Sequence, residues 1–153
     1  MVESSFAGDG LPEKVRIALG ADHAGYLLKE KVRRYLASKG YEVEDHGPAS
    51  GEYVDYPDFA EKVATRVATK QAGFGVLVCG TGLGMVMSAN KVPGIRAATC
   101  NDTLSAYFAR CHNDANVLGM GGRFVDEATA QKVLDTWLAT PFAGGRHPVS
   151  YTH

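Results

Sequence analysis

No apolar run in the chain approaches the length of a membrane span, so no transmembrane helix is predicted. Charge of one sign is not in excess either. Sixteen basic and 17 acidic residues leave a net charge of -1, which gives no electrostatic reason to expect nucleic acid or a membrane surface as partner. Cysteine is scarce: Cys79, Cys100 and Cys111 form no CxxC pair and are odd in number. That disfavours a disulfide framework and a zinc knuckle, and it fits reduced thiols in a cytosol. Met1 to Glu13 is polar and has no apolar core of a signal peptide, so the expected location is cytoplasmic. Internal repeats and low-complexity segments are absent, which removes solenoids and tails.

What is present is a chain of 153 residues, 45% apolar and 22% charged, enough to bury one core without staples. Residues 1–14 are expected to be a flexible leader and 15–153 a single domain. Short apolar runs alternate with helical stripes. Val15 to Leu19 predicts a first strand, and Leu28, Val32 and Leu36 fall on one helical face that Gly40 closes. Tyr41 to Asp45 predicts a second strand, and Phe59, Val63 and Val67 a second helix. The apolar run from Phe74, centred on Val76 to Val78, predicts a third strand, with a helical pattern from Met85 to Asn90 after it. Ile95 to Cys100 predicts a fourth, and Asp102 or Thr103 caps a helix running to about His112. Asn116 to Met120 is the fifth strand; Val133, Leu134, Trp137 and Leu138 mark the last helix. Such alternation predicts a parallel sheet covered on both faces, with right-handed crossovers and ligands bound beyond the carboxyl ends of the strands.

The residues just after each strand are therefore where chemistry is expected: Gly20 to Gly25, Cys79 to Gly82, and Asn101-Asp102. The third strand delivers Cys79 into the turn Gly80-Thr81-Gly82-Leu83-Gly84, and a helix follows at once. Amides of the turn and the positive helix end should converge beside the thiol, making an anion site that favours a thiolate. Several chemistries fit such a site. A dinucleotide fingerprint is imitated by Gly80, Gly82 and Asp102, but Met85 stands at its sixth position and the turn follows the third strand, not the first. A cysteine phosphatase needs arginine where Met85 stands. A Cys-His hydrolase has Cys79 and His112 but no evident third group, and a buried strand-end cysteine leaves the three glycines unexplained. For Asp22 and His23 the plain alternative is a helix cap beside a surface histidine. His112-Asn113-Asp114 precedes the fifth strand and is expected at the opposite edge of the sheet, which hints that a second subunit supplies it.

Six segments in order, Gly20-Ala21-Asp22-His23-Ala24-Gly25, Asp55-Tyr56-Pro57, Cys79 to Gly84, Ala89-Asn90-Lys91 with Gly94-Ile95-Arg96-Ala97, His112 to Val117, and Gly144-Gly145-Arg146-His147, span nearly everything from Val15 to His147. Together they resemble the type B ribose-5-phosphate isomerases, within the family that also holds the galactose-6-phosphate isomerase subunits. The resemblance implies a three-layer α/β/α Rossmann-like fold with a five-stranded parallel sheet. It implies interconversion of ribose 5-phosphate and ribulose 5-phosphate in the pentose phosphate pathway, with no metal and no organic cofactor. The implied assembly is a homodimer with a shared active site, or a dimer of dimers.

Aldose-ketose isomerisation through a cis-enediolate needs a base, an oxyanion cradle, a group that opens the furanose ring, and cations for the phosphate. By the resemblance Cys79 is the base, the amides of Gly80, Gly82, Leu83 and Gly84 form the cradle, and Thr81 fixes a substrate hydroxyl. His112 is the ring-opening acid and base, and Asn113 holds a sugar oxygen. Asp22 and His23 bind substrate, while Arg123 and Arg146 bind phosphate, suited to it by the guanidinium fork. Relatives with another arginine four residues beyond Arg146 differ here, where Ser150 stands. Tyr56 either lines the pocket or packs in the core; Cys100 and Cys111 are assigned to packing. Six-carbon phosphates (allose or galactose 6-phosphate) remain alternative substrates, and a nicotinamide- or sugar-phosphate-binding module is the remaining alternative class.

Overall fold

The computed structural model describes residues 14–145. The expected leader lies outside the described residues except for Lys14, and so do Arg146, His147 and Ser150.

Strand and helix alternate as β1 (Ile17–Ala21), α1 (Tyr26–Ser38), β2 (Val43–Asp45), α2 (Tyr56–Ala68), β3 (Phe74–Cys79), α3 (Gly84–Ala89), β4 (Ala97–Thr99), α4 (Thr103–Cys111), β5 (Val117–Gly121) and α5 (Glu127–Ala139). The five strands form one sheet in the order β2-β1-β3-β5-β4, and every neighbouring pair is parallel. Side chains alternate across it. Val76 and Val78 join the core under α1, α4 and α5, whereas Leu77 and Cys79 join the one under α2 and α3. The result is the expected three-layer α/β fold. The predicted stripe Leu28, Val32 and Leu36 is buried, as are Val63, Val133, Leu134 and Trp137, and Gly40, with φ +88°, stands just past the end of α1.

Boundaries differ where a glycine or a sheet edge intervenes. β1 runs two residues later than its apolar run suggests, because Gly20 pairs with Leu77 instead of ending the strand. A Cβ at Gly20 would lie 2.9 Å from Val63 Cγ2, so glycine here lets α2 approach the sheet. β4 keeps only Ala97–Thr99 of the six residues expected, since it is an edge strand pairing with β5 alone. β2, at the other edge, likewise contracts to three residues.

β5 lies inside the sheet beside β3, and His112-Asn113-Asp114, which precedes it, stands at the rim opposite the one that carries Cys79, as expected. What separates it from Cys79 is strand length: α4 runs back from the carboxyl rim, and His112 caps its C-terminus at the amino pole, below Val117.

β1 and β3 are neighbours whose following helices pack on opposite faces of the sheet. Their loops diverge, leaving a crevice at the carboxyl rim where ligands bind in open α/β sheets.

Candidate active site

Three turns meet at that crevice. After β1, Asp22 caps a single 3-10 turn, His23–Gly25, its Oδ1 accepting from Gly25 N at 2.9 Å. Gly25 presses on β3 so closely that a Cβ would stand 2.0 Å from Val78 O. After β3 comes the turn Gly80–Leu83, and after β5 the turn Gly122–Phe124. Gly122 N donates to Cys79 O at 2.7 Å, Arg123 N donates to Gly80 O at 3.0 Å, and Asp22 N donates to Val78 O at 3.2 Å. Main-chain bonds thus fix the turns as one unit.

Cys79 ends β3 and is 4% exposed. Its Sγ accepts from Gly82 N at 3.0 Å. Such a bond is charge-assisted when the sulfur is a thiolate. Gly82 has φ +82°, and a Cβ there would come within 2.9 Å of Met120 C and Thr99 Cγ2, so glycine is required both for the conformation and for the space. Thr81 Oγ1 accepts from Leu83 N at 3.2 Å, and Leu83 itself is exposed at the start of α3.

Around this loop stand four of the expected side chains. The Arg123 guanidinium lies over Gly80, where a Cβ would be 3.2 Å from its Nε. No carboxylate among the described residues pairs with it. Tyr56, at the start of α2, is 42% exposed and sets its ring against Gly84, where a Cβ would meet it at 3.2 Å; it lines the rim instead of packing in the core. His23 stacks on Tyr53 with ring centroids 4.8 Å apart, and its Nδ1 is buried without a hydrogen-bond partner. Asp22 caps the turn that follows β1, as its plain reading predicts.

His112 and Asn113 are not brought to the rim of their own chain. His112 ends a stripe of α4, Leu104, Phe108, His112, spaced i, i+4, i+8, and its ring lies 4.7 Å from Phe108. Leu104 and Phe108 are 65% and 41% exposed, and on the opposite face of the sheet Leu83, at the head of α3, and Met87 are exposed too. Arg146 lies outside the described residues. Cys100 and Cys111 are buried, in line with packing, and burial pushes the Cys100 thiol up to about 11. No helix among the described residues is long and apolar enough to cross a membrane, and no group of three or more His, Cys, Asp or Glu among them is placed to hold a metal ion.

Sequence reasoning did not single out Tyr53, Thr99 or the side chain of Asn101. Thr99 Oγ1 donates to Gly82 O at 2.6 Å, and Asn101 Oδ1 accepts from Gly121 N at 2.8 Å, so the end of β4 braces both the cysteine turn and the arginine turn. Position after a strand was the available signal for Asn101. None exists for Thr99, which reads as an ordinary β-branched strand residue.

Residues 17–151 match the model of the ribose/galactose isomerase family. A ribose-5-phosphate isomerase B of Escherichia coli is 45% identical over 132 residues, covering 86% of this chain and 89% of the relative. A D-erythrulose-4-phosphate isomerase of Pectobacterium atrosepticum is 43% identical over 130 residues, covering 84% and 86%. The crystal structure of a ribose 5-phosphate isomerase from Thermotoga maritima superposes with a TM-score of 0.89 at 51% identity, covering 90% of this chain and 95% of that one. By the family model over most of its length and by these identities, the chain belongs to the ribose/galactose isomerase family.

Proposed function

We propose that this protein is an aldose-ketose isomerase that interconverts ribose 5-phosphate and ribulose 5-phosphate, with Cys79 as the base. The observation that carries the reading is a single arrangement: a buried Cys79 sulfur held by Gly82 N–H, with the guanidinium of Arg123, which pairs with no carboxylate among the described residues, over the adjoining Gly80. A thiolate in that place takes the C2 proton of the open aldose while charge develops on O1 and is met by turn amides, each such donor being worth roughly 3 kcal/mol of barrier. The thiol then returns the proton to C1. The O2 proton passes to O1, O2 becomes the carbonyl, and no electron leaves the substrate. Arg123, over Gly80, is suited to clamp the phosphate as a guanidinium fork, and His23, Tyr56 and the buried Asp22 are assigned to substrate binding.

Ring opening is assigned to His112 of a second copy. Leu83 and Met87 at α3, and Leu104, Tyr107 and Phe108 on α4, are exposed large apolar side chains on the helices that precede and follow edge strand β4, one helix on each face of the sheet. Because α4 runs against the strands, a two-fold pairing that buries these stripes brings the His112 end of one chain to the cysteine rim of the other. A homodimer with shared sites accounts for both the uncovered surface and the remote histidine.

Substrate length is the finer question, because four-, five- and six-carbon phosphates share the same reacting end. The Pectobacterium relative, named for a four-carbon substrate, gives it point. Steady-state turnover of ribose 5-phosphate beside erythrulose 4-phosphate and allose and galactose 6-phosphates tests the reading. The expected result is the highest kcat/KM on ribose 5-phosphate; no turnover of any of them defeats it.

A further inference from the structure

Thr99 sits on edge strand β4, outside the cysteine turn, yet its hydroxyl is the donor that satisfies Gly82 O, at 2.6 Å. That carbonyl is enclosed between strands: a Cβ at Gly119 on β5 would lie 3.1 Å from it. In a trans peptide the C=O and the next N–H point in opposite directions, so fixing Gly82 O also fixes Leu83 N–H, which points to Thr81 Oγ1. Gly82 N–H, on the preceding peptide, is the donor to Cys79 Sγ. Gly82 has the left-handed φ that lets the two peptides face these opposite partners.

We propose that Thr99 is a positioning residue for the isomerase reaction: its hydroxyl locks the Gly82-Leu83 peptide, and with it the turn in which Leu83 N–H holds the Thr81 hydroxyl and the preceding amide, Gly82 N–H, stays aimed at the Cys79 sulfur. Thr99 acts through Gly82 and touches no substrate. The inference rests on the isomerase reading given above. Thr99 Cγ2 also packs in the space beside Gly82 Cα, where an added Cβ would meet it at 2.9 Å, so the methyl and the hydroxyl have separate tasks. Threonine supplies both in one residue; valine keeps the shape and loses the donor.

The test is Thr99→Val beside Thr99→Ser, each in the full chain. A donor that serves the transition state changes kcat and leaves KM in place. Thr99→Val should lower kcat roughly ten- to a hundredfold with KM within about twofold, and Thr99→Ser should return kcat to within about threefold of the parent. Amide hydrogen exchange at Gly82 and Leu83 should speed up in Thr99→Val alone, with the rest of the sheet unchanged. Parental kcat in Thr99→Val overturns the proposal, and so does a loss that Thr99→Ser fails to rescue or that follows a general loss of exchange protection. If the parent does not isomerise ribose 5-phosphate, the functional reading falls. The exchange data still decide whether Thr99 holds the turn, and unchanged Gly82 and Leu83 rates in Thr99→Val then refute that as well.

Discussion

Pairing two impaired variants tests the shared site. Gly75 is level with Val117 and Cys79 with Gly121 in the sheet register, so within one chain the cysteine stands four strand steps, about 13 Å, above the level at which the His112 segment enters β5. Acid-base catalysis needs its groups within hydrogen-bond reach of one small sugar. No single chain meets that requirement. Cys79→Ala and His112→Ala homodimers should each be nearly inactive on ring-closed ribose 5-phosphate, the first for want of a base and the second for want of ring opening. In a mixed dimer one site loses both residues, while the other takes Cys79 from the His112→Ala chain and His112 from the Cys79→Ala chain and is whole. Random pairing of equal amounts gives half mixed dimers with one good site of two, hence roughly a quarter of parental activity. The assay is ketose formation after the two variants are refolded together from denaturant, against each refolded alone. Activity that stays at the sum of the separate variants refutes the shared site.

Three further outcomes follow from the same contacts. Arg123→Gln removes the unpaired cation over Gly80, so KM for a sugar phosphate should rise about a hundredfold, as for loss of a charged hydrogen bond, with a smaller change in kcat; an unchanged KM places the phosphate elsewhere. Cys100, with its thiol pushed up to about 11 by burial, holds about one thiolate in a thousand at pH 8 and should stay unmodified by iodoacetamide in the folded protein; peptide mass spectrometry showing it alkylated as fast as in denaturant contradicts this. Asp102 caps α4 through Ser105 N at 2.7 Å, a bond that holds its carboxyl below the usual range, so Asp102→Ala should cost about 1 kcal/mol in urea unfolding at pH 7. A lowered folded-state pKa gives stability that is complete above the unfolded value near 4 and drains as pH falls through the folded one, so parent and variant should converge in acid; a constant difference down to pH 2 removes the carboxylate from the account.

Much of the site was legible because its parts are local. The run from Phe74 into Cys79 and three glycines specifies strand, turn and helix within a dozen residues, and the turn is built as that pattern predicts. Asp102 was legible as a cap for the same reason. What the sequence could not carry is lateral order. Periodicity locates β5, and with it the His112 segment at the opposite rim, but not the place of β5 between β3 and β4. Gly20 was placed in the loop after the first strand, whereas it continues β1 and its missing Cβ admits α2. Thr99 and Tyr53 stayed invisible because their contacts, with Gly82 and His23, join segments 17 and 30 residues away, and no spacing rule reaches that far.

Proton transfer by Cys79 is tested most directly with ribose 5-phosphate in heavy water, following deuterium at C1 of the ketose by NMR. The parent should form ribulose 5-phosphate carrying solvent deuterium at C1, and Cys79→Ala, folded and dimeric, should form neither ketose nor exchanged aldose. Deuterium incorporation by Cys79→Ala at the parental rate would assign the proton to another group and contradict the account.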